Sequence, residues 1–521
     1  MRHRLEKLTT PDNPLQAAVL VLVASTLFRL AICGLVEPSV DEAYYWDWSR
    51  HLAWGYFDHP PLSALLIRLG TSLFGNNAFG VRAVGVLWGT GFLWFTFLLA
   101  RVLFSPLTAY RAIALTALTP LFVIGIGLLA LPETALSLPW AAALWVMALI
   151  LFDRPTPARW LLFGVLCGIA LQAKVTGILL AGTFPLVLLV SREHRPLLLS
   201  GWLWLSLLVA ATIFLPFVLW NYDHGWPSFA AMGQRIARNT NFHLGRALAV
   251  QMGQALFLTP LLWVAAWAAG VGAAKRFILG GDPKLLFLAA FFLVPQVGFG
   301  LLALEKKVLP HWPALGFITA IVALASLAPE WRSRLVARAG GRPNRFDPIA
   351  KVTVVVALLV SLLLPLGTVL PLVPAAIAGA RSLGLVKHGA RVIDPMGDVE
   401  GSREAGAEAR RLLQGLPSKD ATPILTYHWA IAGRLAFGMG GDHPVYAVGG
   451  KANQYGVWKS AEDFLNRDVL LVKDDLFRED FRKTFECGKL SVLPRFEAKW
   501  HGYTVRGWTF AYCTDLKKIF P

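Results

Sequence analysis

Apolar residues along this chain fall into long runs separated by short polar segments until about residue 376, after which the pattern changes. Eleven runs suggest bilayer crossings, at about 14–36, 79–104, 111–130, 134–152, 158–173, 176–190, 199–220, 246–273, 284–304, 310–328 and 351–375. A helix needs about 20 apolar residues to cross the hydrocarbon core. Arg29 sits near enough to the end of the first run to snorkel to the interface. No small-residue cleavage site follows that run, so it reads as a retained span. Beyond 376 the apolar stretches shrink to strand length, as in 423–427, 469–472 and 503–513, while 402–416 reads as a helix. The pattern predicts a mainly α polytopic membrane domain over 1–376 and a small α/β domain over 377–521.

Composition agrees with that class. Hydrophobic residues make up 56% of 521 and charged residues 16%, with a mean hydropathy of +0.55. Such a chain is a membrane protein with a soluble portion, not a globular enzyme. The cations set the orientation. With Arg2, Arg4 and Lys7 in the cytoplasm, alternate loops put Arg101 and Arg111, Arg154 and Arg159, Arg192 and Arg195, Lys275 and Arg276, and the group from Arg332 to Lys351 on the same side. The net charge of +17 then reads as a cytoplasmic rim facing anionic headgroups, and no nucleic-acid motif accompanies it. The opposite face receives the loop after the first span, Glu133, Lys174, the 221–245 loop, Glu305 to Lys307 and the tail. Cys33 and Cys167 fall in spans, where packing is the ordinary role. Cys487 and Cys513 lie in the tail and could bridge on an oxidising face, a pairing that spacing leaves open.

Chemistry concentrates just outside the first span. Asp41 and Glu42 are followed by Tyr44, Tyr45 and Trp46, and then by Tyr56, Phe57, Asp58, His59, Pro60 and Pro61. Carboxylates at the edge of the hydrocarbon are expected to be wet and are candidates for function. The alternative role is to cap the helix that follows, which does not exclude function. The aromatic residues first suggest an interfacial belt, some of whose rings could stack on sugars. Pro60 and Pro61 would start a helix from Leu62 to Leu73, leaving Asp58 and His59 at its anion-favouring end. Lys174, ending a span, could reach a phosphate or simply snorkel. Lys306 and Lys307 depart from the positive-inside bias, which raises their functional interest.

The segment from Asp41 to Gly75 resembles the first extracytoplasmic loop of GT-C glycosyltransferases that use polyprenyl-phosphate sugars. That superfamily includes protein O-mannosyltransferases, aminoarabinose transferases acting on lipid A, and lipopolysaccharide galacturonosyltransferases, the last group being the nearest in motif. Leu131-Pro132-Glu133 resembles the family's second acidic site, and Gly168 to Lys174 its lysine-bearing span end. Trp220-Asn221, Lys307 to Pro313 including His311, Leu435 to Phe437 and His443-Pro444 are similar as well. Two positions depart: His59 stands where aminoarabinose transferases carry lysine, and Glu133 where many members carry aspartate. The second keeps the charge and shifts its reach.

The resemblance implies Asp41 as general base, with Glu42 and Glu133 completing the acidic site. It implies His59, Lys174, Lys306 and Lys307 at the donor phosphate, and Tyr44, Tyr45, Asp58, Asn221 and His311 at the substrates. The implied reaction moves a sugar from a polyprenyl phosphate to a lipopolysaccharide or lipid A glycan at the bacterial inner membrane, by inverting displacement. That chemistry needs a base, cations for the leaving phosphate and shelter for an oxocarbenium-like centre. No cofactor is expected. A divalent metal would draw on Asp41, Glu42, His59 and Glu133, but no compact D-x-D or H-x-x-H spacing is present. Two other readings share the hydrophobic pattern: a lipid-linked sugar flippase, and an assembly protein using the tail for binding. A protein acceptor is a variant of the transferase.

Eleven spans from a cytoplasmic N-terminus put the tail outside. A phosphatase reporter fused after residue 521 is therefore expected to be active, and a cytoplasmic reporter silent; the reverse pattern would mean an even number of spans.

Overall fold

The computed structural model describes residues 11–237, 242–338, 346–370, 372–383, 398–416, 422–477 and 480–520. Arg2, Arg4, Lys7, Arg342, Arg345 and parts of the 229–243 and 351–375 segments lie outside the described residues. The chain forms two compact units. The first contains residues 1–31, 59–62 and 85–363, and the second 32–58, 63–84 and 364–521.

Among the described residues, seven helices have the length and composition to cross a membrane: Pro14–Ile32, Ala78–Leu103, Pro132–Phe152, Gly201–Asp223, Pro260–Gly280, Pro283–Glu305 and the segment Ala314–Arg334. The protein is a multi-pass membrane protein. Two further expected spans are the shorter helices Pro157–Ala173 and Ile178–Val190. The expected span 111–130 is a helix, Pro106–Leu118, followed by a π-helix, Leu121–Gly125. One expectation is overturned. The run 246–273 is two helices, Leu244–Leu258 and Pro260–Gly280, broken at Thr259, whose φ is 72°. Proline at 260 has no N–H to donate and disfavours helical backbone at the residue before it, so hydropathy continues across a point where the helix cannot.

The interior of the first unit is largely apolar, and two of its buried polar side chains, Gln254 and Gln296, brace irregular backbone. Gln254 donates to the side-chain Oε1 of Gln296 at 3.1 Å and to Pro310 O at 3.3 Å, and Gln296 donates to Pro313 O at 3.0 Å. These bonds hold the loop between Glu305 and Ala314, where water would otherwise have to satisfy the free carbonyls. Arg29 does not snorkel: its side chain is buried and bonded inside the protein.

The second unit carries a six-stranded sheet. Its strands are β1 (Ile424–Thr426), β2 (Val445–Ala447), β3 (Val469–Asp474), β4 (Phe485–Val492), β5 (Phe496–Trp500) and β6 (Tyr503–Ile519). The order is β2-β1-β3-β6-β4, with β5 also on β6; β1 is parallel to β2 and β3, and the pairings of β6 are antiparallel. The expected strands correspond to β1, β3 and β6, and the expected helix to Ser402–Gln414. The short β2 and the half-exposed β4 and β5 lack a long apolar run, which is why the pattern does not announce them.

Residues 32–58 and 63–84 complete this unit with two helices, Val40–Arg50 and Leu62–Phe74, and the start of a third. Helix Val40–Arg50 lies against Trp429–Gly438, and Gly433 permits the approach: a Cβ there would stand 2.9 Å from the Tyr44 backbone N. Glu37 accepts from the backbone N–H groups of Ser402 and Arg403 at 2.8 and 3.2 Å, capping helix Ser402–Gln414. The helix's positive end suits a carboxylate. Aromatic residues expected at a membrane interface form this unit's core instead: Tyr44, Tyr45, Trp46, Trp48 and Tyr56 are all buried, while Trp54 is exposed. Tyr44 meets Trp48, Trp429 and Tyr455, and Trp48 stacks on Tyr56.

Cys487 and Cys513 are bridged, with Cα atoms 5.5 Å apart and a sequence separation of 26. A loop of that size is stabilised by about 3 kcal/mol in the chain-entropy model. Alkylation under non-reducing denaturation should therefore label Cys33 and Cys167 and spare the tail pair, and reduction should lower the melting temperature of the second unit. Four labelled cysteines without reductant would contradict the bridge.

Candidate functional site

The sequence Ser39-Val40-Asp41-Glu42 starts helix Val40–Arg50 with a capping box. Ser39 Oγ accepts from Glu42 N, and Glu42 Oε2 accepts from Ser39 N at 2.9 Å. The same carboxylate is fully buried against Arg82, whose Nε and Nη2 reach its two oxygens at 2.7 and 2.8 Å. Arg82 also donates to the carbonyls of Cys33, Val36 and Glu37, each at 2.9 Å. Glu42 is therefore the anchor of the loop. Asp41, one residue earlier and about 100° around the helix, is exposed.

Tyr44, Tyr45 and Asp58 belong to the same unit. The Tyr44 hydroxyl donates to Asp58 Oδ2 at 3.2 Å and accepts from Gln454 N at 2.7 Å. Burial first, then the Asp58 charge, pushes the Tyr44 phenol well above its usual value, so it stays a donor. With Tyr44 and Tyr45 2% and 7% exposed, these rings pack the protein and are not laid out for a sugar.

The first unit brings three of the expected residues together. Glu133 lies in the first turn of Pro132–Phe152, and Lys174 ends Pro157–Ala173. His311 stands in the loop braced by Gln254 and Gln296. Lys174 Nζ donates to Glu133 Oε1, and His311 Nε2 is 3.3 Å from the same oxygen. His59 lies within electrostatic range of this carboxylate. Burial, the largest influence, and the Lys174 charge lower His311 below its usual value against the pull of Glu133, which favours the neutral ring at neutral pH. Lys174 is buried, not snorkelling, and faces the Trp312 ring at 5.8 Å. Glu133, Lys174, His311, Trp140, Trp312 and Thr176 line a cleft with about 300 Å³ of empty space, part of it open to solvent.

Other expected residues stand elsewhere. Asn221 is buried, donates to Phe217 O at 3.0 Å and accepts from Ser228 N at 3.0 Å, bracing the turn after helix Gly201–Asp223. Lys306 caps the end of Pro283–Glu305, Lys307 is exposed, and neither lines the cleft. Among the described residues no three His, Cys, Asp or Glu side chains gather as a metal cage. Gln254, Gln296 and Trp140 were not singled out by sequence. A glutamine inside an apolar helix is the signal for the first two, because an amide in hydrocarbon requires partners.

The family described as dolichyl-phosphate-mannose-protein mannosyltransferase matches residues 58–220, which include His59, Glu133 and Lys174. The solved structure of ArnT from Cupriavidus metallidurans bound to undecaprenyl phosphate is 18% identical, covers 95% of this chain and 97% of its own, and gives a TM-score of 0.61. The fold is that of the ArnT structure. In sequence, the chain is similar to the undecaprenyl phosphate-α-4-amino-4-deoxy-L-arabinose arabinosyl transferase 1 of Pseudomonas fluorescens, 28% identical over 56% of this chain and 57% of the relative. The lipid A galacturonosyltransferase RgtD of Rhizobium johnstonii is 37% identical over 14% of this chain and 16% of the relative. The chain thus spans little more than half of the first relative's length and far less of the second's.

Removing Glu42 leaves Arg82 charged, buried and unpaired. Glu42→Ala should cost about 3–5 kcal/mol, seen as a lower melting temperature in detergent, and Glu42→Ala with Arg82→Met should recover part of that loss. Equal stability of Glu42→Ala and wild type would show that the pair does not anchor the loop.

Proposed function

We propose that this chain is a membrane glycosyltransferase that moves a sugar from a polyprenyl-phosphate donor to an extracytoplasmic lipopolysaccharide or lipid A glycan. The observation that carries this is the cleft in which Lys174, Glu133 and His311 meet, with His59 in electrostatic range. A buried ammonium beside a carboxylate and an imidazole can exchange its carboxylate partner for a phosphate without being left unpaired. The relatives' names supply the donor and acceptor classes: undecaprenyl phosphate with aminoarabinose in one, lipid A in the other.

In the proposed reaction the acceptor hydroxyl oxygen attacks the anomeric carbon as the carbon–oxygen bond to phosphate breaks. The electron pair leaves with the polyprenyl phosphate, and the configuration inverts. Asp41, an exposed carboxylate in the first turn of its helix, takes the hydroxyl proton. Lys174 and His59 offset the charge growing on the phosphate, which is where preorganised cations contribute most. Lys306 and Lys307, exposed or half-buried and away from the cleft lining, serve the membrane surface in this reading. Glu42 acts through the fold. The enzyme works in the bacterial inner membrane, with its N-terminus cytoplasmic and residues 377–521 periplasmic. The mannosyltransferase family match favours a second reading in which the same chemistry acts on a protein acceptor.

Purified protein incubated with undecaprenyl-phosphate sugars and either lipid A or periplasmic protein tests both readings; release of free undecaprenyl phosphate without a glycosylated acceptor would contradict them. Asp41→Asn is expected to lower single-turnover transfer about 10²–10⁴-fold, the usual contribution of a general base, with donor affinity kept. Lys174→Ala should weaken undecaprenyl phosphate binding, and unchanged binding would remove it from the phosphate site.

A further inference from the structure

Arg29 is a cation in a membrane-spanning helix that the proposed chemistry does not use. It is 1% exposed, and among the described residues its hydrogen-bond acceptors are all neutral: Ser25 O at 3.1 Å, Gly127 O at 3.2 Å and Thr90 Oγ1 at 3.4 Å. An ionisable residue held in such surroundings without a carboxylate is retained against an energetic cost, and its partners show what it does. Its distant partner is the carbonyl of Gly127. That residue follows the π-helix Leu121–Gly125, a type of element frequent at functional sites.

The guanidinium occupies space that only glycine leaves open. A Cβ on Gly127 would stand 2.6 Å from Arg29 Nη1 and 2.4 Å from Phe122 O, and one on Gly89 would stand 2.8 Å from the same Nη1. From Gly127 the chain runs through a turn to Leu131, the N-cap of helix Pro132–Phe152, so Glu133 follows six residues after the clamped carbonyl. Side chains also tie down the turn and the helix start: Thr134 Oγ1 donates to Leu129 O at 2.5 Å, and Trp88 Nε1 to Ala135 O, in the helix, at 3.0 Å. The Arg29 clamp is a side-chain bond at the turn's entry, where Leu128 N and Leu129 N also donate to Ile124 O at 3.1 Å each.

We infer that Arg29 is a positioning residue, which by holding the turn before Pro132 sets Glu133 where it meets Lys174 and His311. This rests on the reading of that cleft as the donor-phosphate site, but its geometry can be tested without transfer. An ammonium bonded to Glu133 is shielded from acylation, so the reactivity of Lys174 reports where Glu133 is.

The full-length protein in detergent is treated with sulfo-N-hydroxysuccinimidyl acetate, and acetylation of Lys174 is followed by peptide mass spectrometry, with the exposed Lys275 as internal control. Arg29→Met should accelerate Lys174 acetylation by at least about 5-fold, within the coupling range of groups in one network. Glu133→Gln should accelerate it as well. The double variant should react no faster than the faster single one, because both changes remove the same contact. Arg29→Lys, which can hold one acceptor at a time, should fall between, and it carries the test together with Gly127→Ala if Arg29→Met does not fold. Wild-type reactivity of Lys174 in a folded Arg29 variant, effects of Arg29→Met and Glu133→Gln that multiply, or an equal rise at Lys275 would overturn the inference. Failure of sugar transfer in the wild-type protein would instead overturn the proposed function and leave this result standing.

Discussion

The pairing of Glu42 with Arg82 is the constraint from which the second unit is built. An arginine buried to 1% exposure must have its donors satisfied, and here five bonds do so: two to one carboxylate and three to the carbonyls of Cys33, Val36 and Glu37. Those carbonyls lie just beyond helix Pro14–Ile32, where the last turn of any helix leaves its acceptors open. One side chain therefore fixes the loop after that helix and holds the first turn of helix Val40–Arg50. Glu37, its carbonyl on Arg82, uses its carboxylate to cap Ser402–Gln414. The link from loop to tail helix passes through two residues that a composition count would treat as surface charge.

The first unit solves a related problem with fewer charges. Away from water, irregular backbone needs partners from the protein, and the glutamines at 254 and 296 supply them for the loop that holds His311. Lys174 and Glu133 neutralise each other at the mouth of the apolar interior. Truncating either would leave the other buried and charged, so loss of activity in a single variant reports both fold and chemistry. Conservative variants and a binding readout separate the two.

Much of the fold was legible in sequence because hydrocarbon thickness imposes a length on apolar helices, and because strands β1, β3 and β6 are apolar enough to stand out in the tail. The break at Thr259 was written as a proline and was hidden by unbroken hydropathy. The aromatic run after residue 43 misled for a physical reason: tyrosine and tryptophan suit both a membrane interface and a domain core, and composition does not distinguish them. The partners of Tyr44, such as Trp429 and Tyr455, lie 385 and 411 residues further on and cannot be inferred from spacing.

The site was legible as a set of residue types, not as an arrangement. Glu133, Lys174 and His311 were each expected, and the fold brings them to one oxygen atom. Asn221, with an equally suggestive motif, is consumed by a turn. The adjacent acids Asp41 and Glu42 show why a motif alone cannot decide. At the third position of a helix a glutamate can reach back to the N-cap backbone, as in any capping box, and here Arg82 seals it there. At the second position an aspartate is too short to share that contact and projects from another side of the helix, where it is exposed. A side chain of one more methylene at position 42 and one step of helical rotation divide the pair into a buried anchor and an exposed carboxylate.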